Sequence, residues 1–389
     1  MIMAEKKVIS GSDVMAHAVK MCRPKVLPMY PITPSTLIPE RLSEFVNNGE
    51  LESKIIYVES EHSAISALYG AYATGVRSFT ATASQGLALM HEIIPIVAGS
   101  RFPAVMAVAN RALSGPLNIW NDQSDTISER DQGWIQLYCE NNQEAFDTLI
   151  MAYKIAENSK VLTPVMVCVD GFYLTHAYEP VQIEDQKDID EFLPEYKPLH
   201  FLDTSSPKTF GAFAQPNSYM DFKLEQELAM QESIKVISEV NSEFGKKFGR
   251  SYGDGLIEEY NTKKAKLALL CLGSVSGTIK EVIDEYKAKH PSGAGAKEIG
   301  LIRLKAYRPF PTEQLKKAVK GIKAIGVIDK HASIGFGGAL TNDVKAALFG
   351  EKIQIESFMA GLGGRDIDRA KIRDAIETIM KGKEGKWLK

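Results

Sequence analysis

In Lys25-Val26-Leu27-Pro28-Met29-Tyr30-Pro31-Ile32-Thr33-Pro34-Ser35 an apolar run of strand length breaks into a turn built on two prolines. Pro31 and Pro34 fix φ and push their predecessors toward extended geometry, so Ile32-Thr33 is held in a rigid turn. Further on, the run over 55–58 gives way in the same manner to Glu59-Ser60-Glu61-His62-Ser63-Ala64. More strand candidates, over 25–29, 78–83, 103–109 and 163–169, alternate with helical spacing over 63–75 and 85–99. The alternation predicts an α/β fold, a parallel sheet with helices on both faces. Compact polar groups then fall at strand ends, where open α/β sheets bind ligands.

Outward from that core, residues 143–159 read as an amphipathic helix with Asn141-Asn142 as cap candidates. Between 180 and 215 acidic residues cluster with proline, and Thr204-Ser205-Ser206-Pro207 is turn-like, which predicts an extended connector lying on the rest of the protein. Residues 221–248 follow as one long charged helix, a bridge between domains. A second α/β unit starts near 265, with strands over 266–271, 299–304, 324–328 and 353–358 and helices over 278–289, 312–319 and 338–348. The chain thus divides into 1–180, 181–262 and 263–389.

A length of 389 residues accommodates two or three domains, each with its own core. Lys and Arg number 46 against 49 Asp and Glu, so the net charge of −3 gives no electrostatic basis for binding nucleic acid or an anionic membrane. The first residues hold no apolar stretch of signal-peptide or membrane-spanning length, which makes a cytoplasmic location the expectation. Cys22, Cys139, Cys168 and Cys271 form no C-x-x-C pair, so the chain has no local cysteine run for an iron–sulfur cluster. His62, His91 and His176 lack metal-ligand spacing, and no metal site is assigned.

Several strand ends carry residues suited to chemistry. The Thr33 hydroxyl could bond a carboxylate or carbonyl, although Thr33 or Ser35 would equally serve to cap a helix beginning near Leu37. Ser60 is a natural N-cap, which places Glu61 in a first helical turn, where a carboxylate also complements the helix dipole. Ala64, Ala67, Gly70, Ala71 and Ala73 let another backbone approach, and a carboxylate in such surroundings favours its neutral form, apt for sharing a proton. Arg111 follows the strand over 103–109 and could fork onto a substrate carboxylate, or pair with an acidic residue of Asn121-Asp122-Gln123-Ser124-Asp125. Thr82-Ala83-Ser84-Gln85-Gly86 leads from strand to helix and could face a cofactor, with capping the simpler account. Gly335-Phe336-Gly337-Gly338 and Gly361-Leu362-Gly363-Gly364 lack nucleotide-loop spacing and read as packing turns; Leu272-Gly273-Ser274-Val275-Ser276-Gly277 reads as a cap.

Taken in order, Tyr30-Pro31-Ile32-Thr33-Pro34-Ser35, Val58-Glu59-Ser60-Glu61-His62-Ser63-Ala64, Phe79-Thr80-Ala81-Thr82-Ala83-Ser84-Gln85-Gly86-Leu87 and Asn110-Arg111-Ala112-Leu113-Ser114 make a specific series. Asn118-Ile119-Trp120-Asn121-Asp122, Arg130-Asp131-Gln132-Gly133-Trp134-Ile135-Gln136, Glu140-Asn141-Asn142-Gln143-Glu144-Ala145, Tyr307-Arg308-Pro309-Phe310-Pro311 and Ala360-Gly361-Leu362-Gly363-Gly364-Arg365-Asp366 continue it nearly to the end of the chain. The series resembles the alpha subunits of the multi-subunit pyruvate:ferredoxin oxidoreductases, within the 2-oxoacid:ferredoxin oxidoreductase family.

That resemblance implies a pyrimidine-binding thiamine diphosphate domain over 1–180 and a smaller transketolase C-terminal-like domain over 263–389. It implies that Glu61 bonds the cofactor's aminopyrimidine ring, with Glu59 as its rival, and that Tyr30, Ser84 and Gln85 also line the cofactor site. Thr33 and Arg111 would meet the 2-oxoacid, with Asp122 and Asp125 nearby and Asp122 counted among the substrate contacts. The family's beta subunit holds the diphosphate, Mg²⁺ and a cluster, its delta subunit carries two clusters, and its gamma subunit contributes to coenzyme A binding. The implied reaction is reversible oxidative decarboxylation of pyruvate to acetyl-coenzyme A and CO2 with ferredoxin as acceptor. Alternatives are 2-oxoisovalerate, 2-oxoglutarate or oxalate as substrate, or a non-catalytic assembly subunit. Oxalate relatives place an arginine where Thr33 stands, so Thr33 argues against oxalate.

Overall fold

The computed structural model describes residues 5–289 and 299–389. A five-stranded sheet forms the first half. In spatial order its strands are Ala306–Arg308, Ile135–Tyr138, Val165–Asp170, Val105–Asn110 and Phe79–Thr82, all parallel except the first. Val26–Met29 and Lys54–Tyr57 pair in parallel beside it, joined through a bridge from Val26 to Ser78. Every residue of Val105–Asn110 and Val165–Asp170 is buried, as expected of strands covered on both faces.

The predicted alternation is present, with several departures, among them the unpredicted strand Ile135–Tyr138. The predicted helix over 85–99 is two helices, Ser84–Met90 and Ile94–Gly99, because Pro95 lacks the N–H that would continue the first and sits comfortably in the first turn of the second. The expected connector is partly regular. Tyr178–Ile183 pairs antiparallel with Glu5–Ser10, and Gln186–Phe192 is a helix, leaving residues 193–218 as the extended part. Finally, Ala306–Arg308 leaves the second unit and pairs antiparallel with Ile135–Tyr138.

The helix Tyr219–Phe248 buries Ser233, Val236, Ile237, Val240 and Phe244 at helical spacing and ends at Gly249, whose φ of 74° suits glycine. Beyond it a second sheet runs in the order Gln354–Met359, Ala324–Asp329, Leu267–Cys271, Ile299–Leu304 and Ile257–Tyr260, antiparallel only at the last pairing. The two halves share one continuous apolar core that includes Leu149 and Phe146 from the first and Leu304, Tyr307 and Val327 from the second.

Buried charges also cross between the halves. Glu144 sits in the first turn of Asn142–Ala156, a helix capped by the Asn141 side chain, and accepts from Arg303 at 2.7 and 3.0 Å and from Lys305 at 2.6 Å. The two cations hold the Glu144 carboxyl down at about 2 against its burial. Asp170, at a strand end of the first sheet, accepts from Lys330 at 3.0 Å and from the backbone and hydroxyl of Ser274 at 2.9 and 2.5 Å. Ser274, in the turn over 272–277, therefore spends both its donors on Asp170. Among the described residues no helix is long and apolar enough to cross a membrane.

Candidate active site

The C-terminal ends of four neighbouring strands converge on one region. Lys54–Tyr57 leads to Ser60, whose hydroxyl accepts from Ser63 N at 3.3 Å and so starts the helix Glu61–Ala73 with Glu61 as its first residue. Glu61 is buried, and burial raises its carboxyl above the usual range with only its own backbone N–H to favour the charge. Its rival Glu59 is exposed and bonded to the Ser63 hydroxyl. The register set by one cap thus decides which of two carboxylates faces inward.

Gly86 lies against Glu61. A Cβ there would stand 2.5 Å from Glu61 Oε1 and 2.5 Å from Thr82 Oγ1, so the helix Ser84–Met90 can approach only as glycine. Ser84 adopts φ of 48°, unusual for a residue with a side chain, and is held by three bonds. Its N–H donates to Asp125 at 2.9 Å, and its hydroxyl reaches Ala112 O at 2.5 Å and Gln85 Oε1 at 2.6 Å. Gln85 itself is exposed and also accepts from the Ser114 hydroxyl at 3.1 Å.

Arg111 follows the strand Val105–Asn110 and is buried. Its Nε donates to Asn118 O at 3.0 Å and one terminal nitrogen to Thr33 O at 2.9 Å. Among the described residues its guanidinium forms no salt bridge, and its second terminal nitrogen carries no hydrogen bond. Burial lowers its pKa, with Asp125 opposing. The expected alternative, an ion pair with the acidic loop, is therefore replaced by an arginine oriented through carbonyls, its charge still available to an anion. Thr33 is exposed, and a cis peptide joins it to Pro34, which packs on the strand end beside Gly171. Neither Thr33 nor Ser35 caps the next helix. The Ser35 hydroxyl returns to Ile32 O at 2.8 Å, and the cap position of Leu37–Asn47 is Thr36 with no side-chain bond.

Asp125 ties the region together. Fully enclosed, it accepts from Ser84 N and Arg111 N at 2.9 Å and from Asn110 Nδ2 and Thr126 N at 2.8 Å. Burial pushes its carboxyl up to about 7 against these four donors. In sequence Asp125 is one of two aspartates three residues apart, and nothing local distinguishes the clamp from its neighbour. Asp122, the aspartate placed among substrate contacts, bonds Ser124 N and Oγ at 2.9 and 2.6 Å and Gly363 N at 3.2 Å. Its oxygens hold the loop and the second unit's glycine turn. Tyr30 is half-buried after the strand Val26–Met29. The contacts therefore run without a break from Thr33 through Arg111, Asp125 and Ser84 to Gly86 and Glu61.

The other candidates lie apart. His91 bonds Glu129 at 2.7 Å, His62 lies 3.3 Å from Glu92, and His176 bonds the Thr175 hydroxyl at 2.8 Å. All four cysteines are buried and free. Among the described residues no group of three or more His, Cys, Asp or Glu is arranged to hold a metal.

One region thus holds a buried carboxylate at the start of a helix, a glycine pressed against it and an arginine oriented by two carbonyls. The family model described as pyruvate flavodoxin/ferredoxin oxidoreductase, thiamine diphosphate-binding, matches residues 17–242, and that described as pyruvate:ferredoxin oxidoreductase core domain II matches 265–372. The chain belongs to the pyruvate flavodoxin/ferredoxin oxidoreductase family.

Within it, pyruvate synthase subunit PorA of Methanocaldococcus jannaschii is 50% identical over 99% of this chain and 98% of its own length. Its counterpart from Pyrococcus furiosus is 50% identical over 98% and 95%. Ketoisovalerate oxidoreductase subunit VorA of Pyrococcus abyssi is 42% identical over 97% and 94%. Among solved structures, 2-oxoglutarate:ferredoxin oxidoreductase from Magnetococcus marinus superposes with a TM-score of 0.71 at 17% identity, over 96% of this chain and 65% of that one, a likeness of fold.

Proposed function

We propose that this chain is the alpha subunit of a cytoplasmic pyruvate synthase, which reversibly converts pyruvate, coenzyme A and oxidised ferredoxin to acetyl-coenzyme A, CO2 and reduced ferredoxin. The observation that carries the reading is the buried Glu61 carboxyl, raised by burial and packed against Gly86, where no Cβ fits. These residues fit the aminopyrimidine end of thiamine diphosphate, which when bound supplies the electron sink for loss of CO2. Glu61 shares a proton with a ring nitrogen, a task suited to a carboxyl titrating above its ordinary range. Arg111 meets the 2-oxoacid carboxylate with its remaining N–H groups, already aimed by the Asn118 and Thr33 carbonyls. The exposed Thr33 hydroxyl donates to the substrate from the adjoining turn. Tyr30, Ser84 and Gln85 line the same opening, with Ser84 and Asp125 holding its backbone.

The diphosphate end, Mg²⁺ and the electron path are assigned to other subunits. A beta subunit holds the diphosphate, metal and a cluster, a delta subunit carries two clusters, and a gamma subunit contributes to coenzyme A binding. Four buried cysteines are consistent with that division. Leu117, Ile334 and Phe336 support a covering partner, since they expose large apolar side chains on the loop after Arg111 and the loop after Ala324–Asp329. Pyruvate is chosen over branched 2-oxoacids because the pyruvate synthase relatives are the more similar ones.

The deciding experiment purifies the assembled complex and compares kcat/KM for pyruvate, 2-oxoisovalerate, 2-oxoglutarate and oxalate with ferredoxin reduction as readout. Preference for a branched acid overturns the substrate assignment. Full turnover by the complex with Glu61→Gln overturns the catalytic one and favours an assembly role.

A further inference from the structure

The Thr82 hydroxyl lies at the end of the strand Phe79–Thr82, is fully buried, and has no hydrogen-bond partner among the described residues. Burying a hydroxyl unpaired is unfavourable, and valine has the same shape without that cost, so a purely structural strand end has no need of this oxygen. Its surroundings say what it faces. Thr82 Oγ1 and Glu61 Oε1 both lie against Gly86, each 2.5 Å from the point where a Cβ on Gly86 would stand and therefore no more than twice that distance from each other. The β-branched side chain is stiff, so the hydroxyl stays beside the Glu61 carboxyl.

We infer that Thr82 is a positioning residue for Glu61: in the loaded site its hydroxyl donates to Glu61 Oε1 beside Gly86, where the missing side chain lets the two oxygens approach. The bond holds the carboxyl plane and leaves Oε2 free for the cofactor's ring. Thr82 acts through Glu61 and touches neither substrate nor metal. The inference rests on the proposed role of Glu61, and its test separates the two.

Thr82→Val, Thr82→Ser, Gly86→Ala and Glu61→Gln are each prepared in the assembled complex. Three quantities are measured: the thermal midpoint without cofactor, the thiamine diphosphate affinity by calorimetry, and the deuterium exchange rate of the thiazolium C2 proton in the loaded complex. Thr82→Val is expected to leave the cofactor-free midpoint unchanged or raised. It should weaken affinity about 5- to 10-fold, the scale of one hydrogen bond, and slow exchange by at least a similar factor. Thr82→Ser, which keeps the hydroxyl, restores both to within about twofold on the same scale. Gly86→Ala, whose Cβ would stand 2.5 Å from both oxygens, forces them apart and is expected to lose at least as much as Thr82→Val.

Affinity and exchange unchanged in Thr82→Val overturn the inference. So does a loss that follows a lowered cofactor-free midpoint and is not rescued by serine. If Glu61→Gln slows exchange while Thr82→Val does not, only the Thr82 role fails. If Glu61→Gln leaves exchange intact, the proposed function fails with it.

Discussion

Glu144→Gln is expected to weaken the joint between the two halves of the molecule without touching the candidate site. Glu144 is fully enclosed, with Arg303 and Lys305 on its two oxygens and Glu140 N on Oε2 at 2.7 Å. Its carboxyl is held at about 2 in the folded chain, against an ordinary 4.5. A depressed acid stabilises the fold above its unfolded pKa, so this contribution is present above about pH 4.5 and lost as pH falls through about 2, and is worth about 3 kcal/mol at neutral pH. Breaking a buried pair from one side costs about 3–5 kcal/mol, which agrees. The group left exposed to that cost is Lys305. Arg303 keeps Glu258 at 2.6 Å, whereas Lys305 keeps no carboxylate among the described residues, only the Thr148 hydroxyl at 2.7 Å and the face of the Tyr252 ring at 4.7 Å. For a chain of this length unfolding as one unit, Tm should fall by about 4–6 °C at pH 7. Scanning calorimetry of the complex reads the shift, and adding Lys305→Met to Glu144→Gln should recover part of it. A shift below about 1 °C, or a double variant that is worse still, would show that the network contributes little.

Glu61→Gln should leave the complex assembled and cut pyruvate-dependent ferredoxin reduction at least about 100-fold, the lower scale of a lost proton-sharing group. Arg111→Lys cannot keep both carbonyl bonds and a forked contact, so KM for pyruvate should rise about 10- to 100-fold with a smaller change in the cofactor's affinity; equal KM would remove Arg111 from the substrate site. Asp125→Asn turns one face of a four-donor acceptor into a donor, which should misplace Ser84 or Arg111 and lower kcat/KM even where the fold persists. Because burial raises Asp125 from 3.8 to about 7, the native state holds a proton that the unfolded state has released between those values. That residue's contribution to stability therefore falls as pH rises through that window, and Asp125→Asn should flatten the slope in chemical denaturation.

The order of strands and helices was legible because each was announced locally: a run of buried-type residues, a capping serine or asparagine, a proline or glycine stop. Ser60 shows how far such reading reaches, since one cap fixed which glutamate turned inward. Ile135–Tyr138 escaped it because Gln136 interrupts a short run and is paired only in the fold, its amide donating to Thr126 O at 2.7 Å. Ala306–Arg308 escaped because its partner strand lies at Ile135–Tyr138, too far along the chain for any local pattern to announce the pairing.

By itself the sequence determined the α/β class, the strand-end positions of Thr33, Glu61, Ser84 and Arg111, and the family to which they belong. Which groups those residues meet was decided by tertiary structure. Asp122 and Asp125 look alike in the chain, yet one locks a loop to the second unit and the other clamps three backbone segments. Arg111 was equally suited to an ion pair or a ligand until the Thr33 and Asn118 carbonyls oriented it. The reason is that hydrogen-bond partners and desolvation belong to space: a carboxylate's neighbours come from strands far apart in the chain, and only their packing sets its charge and its task.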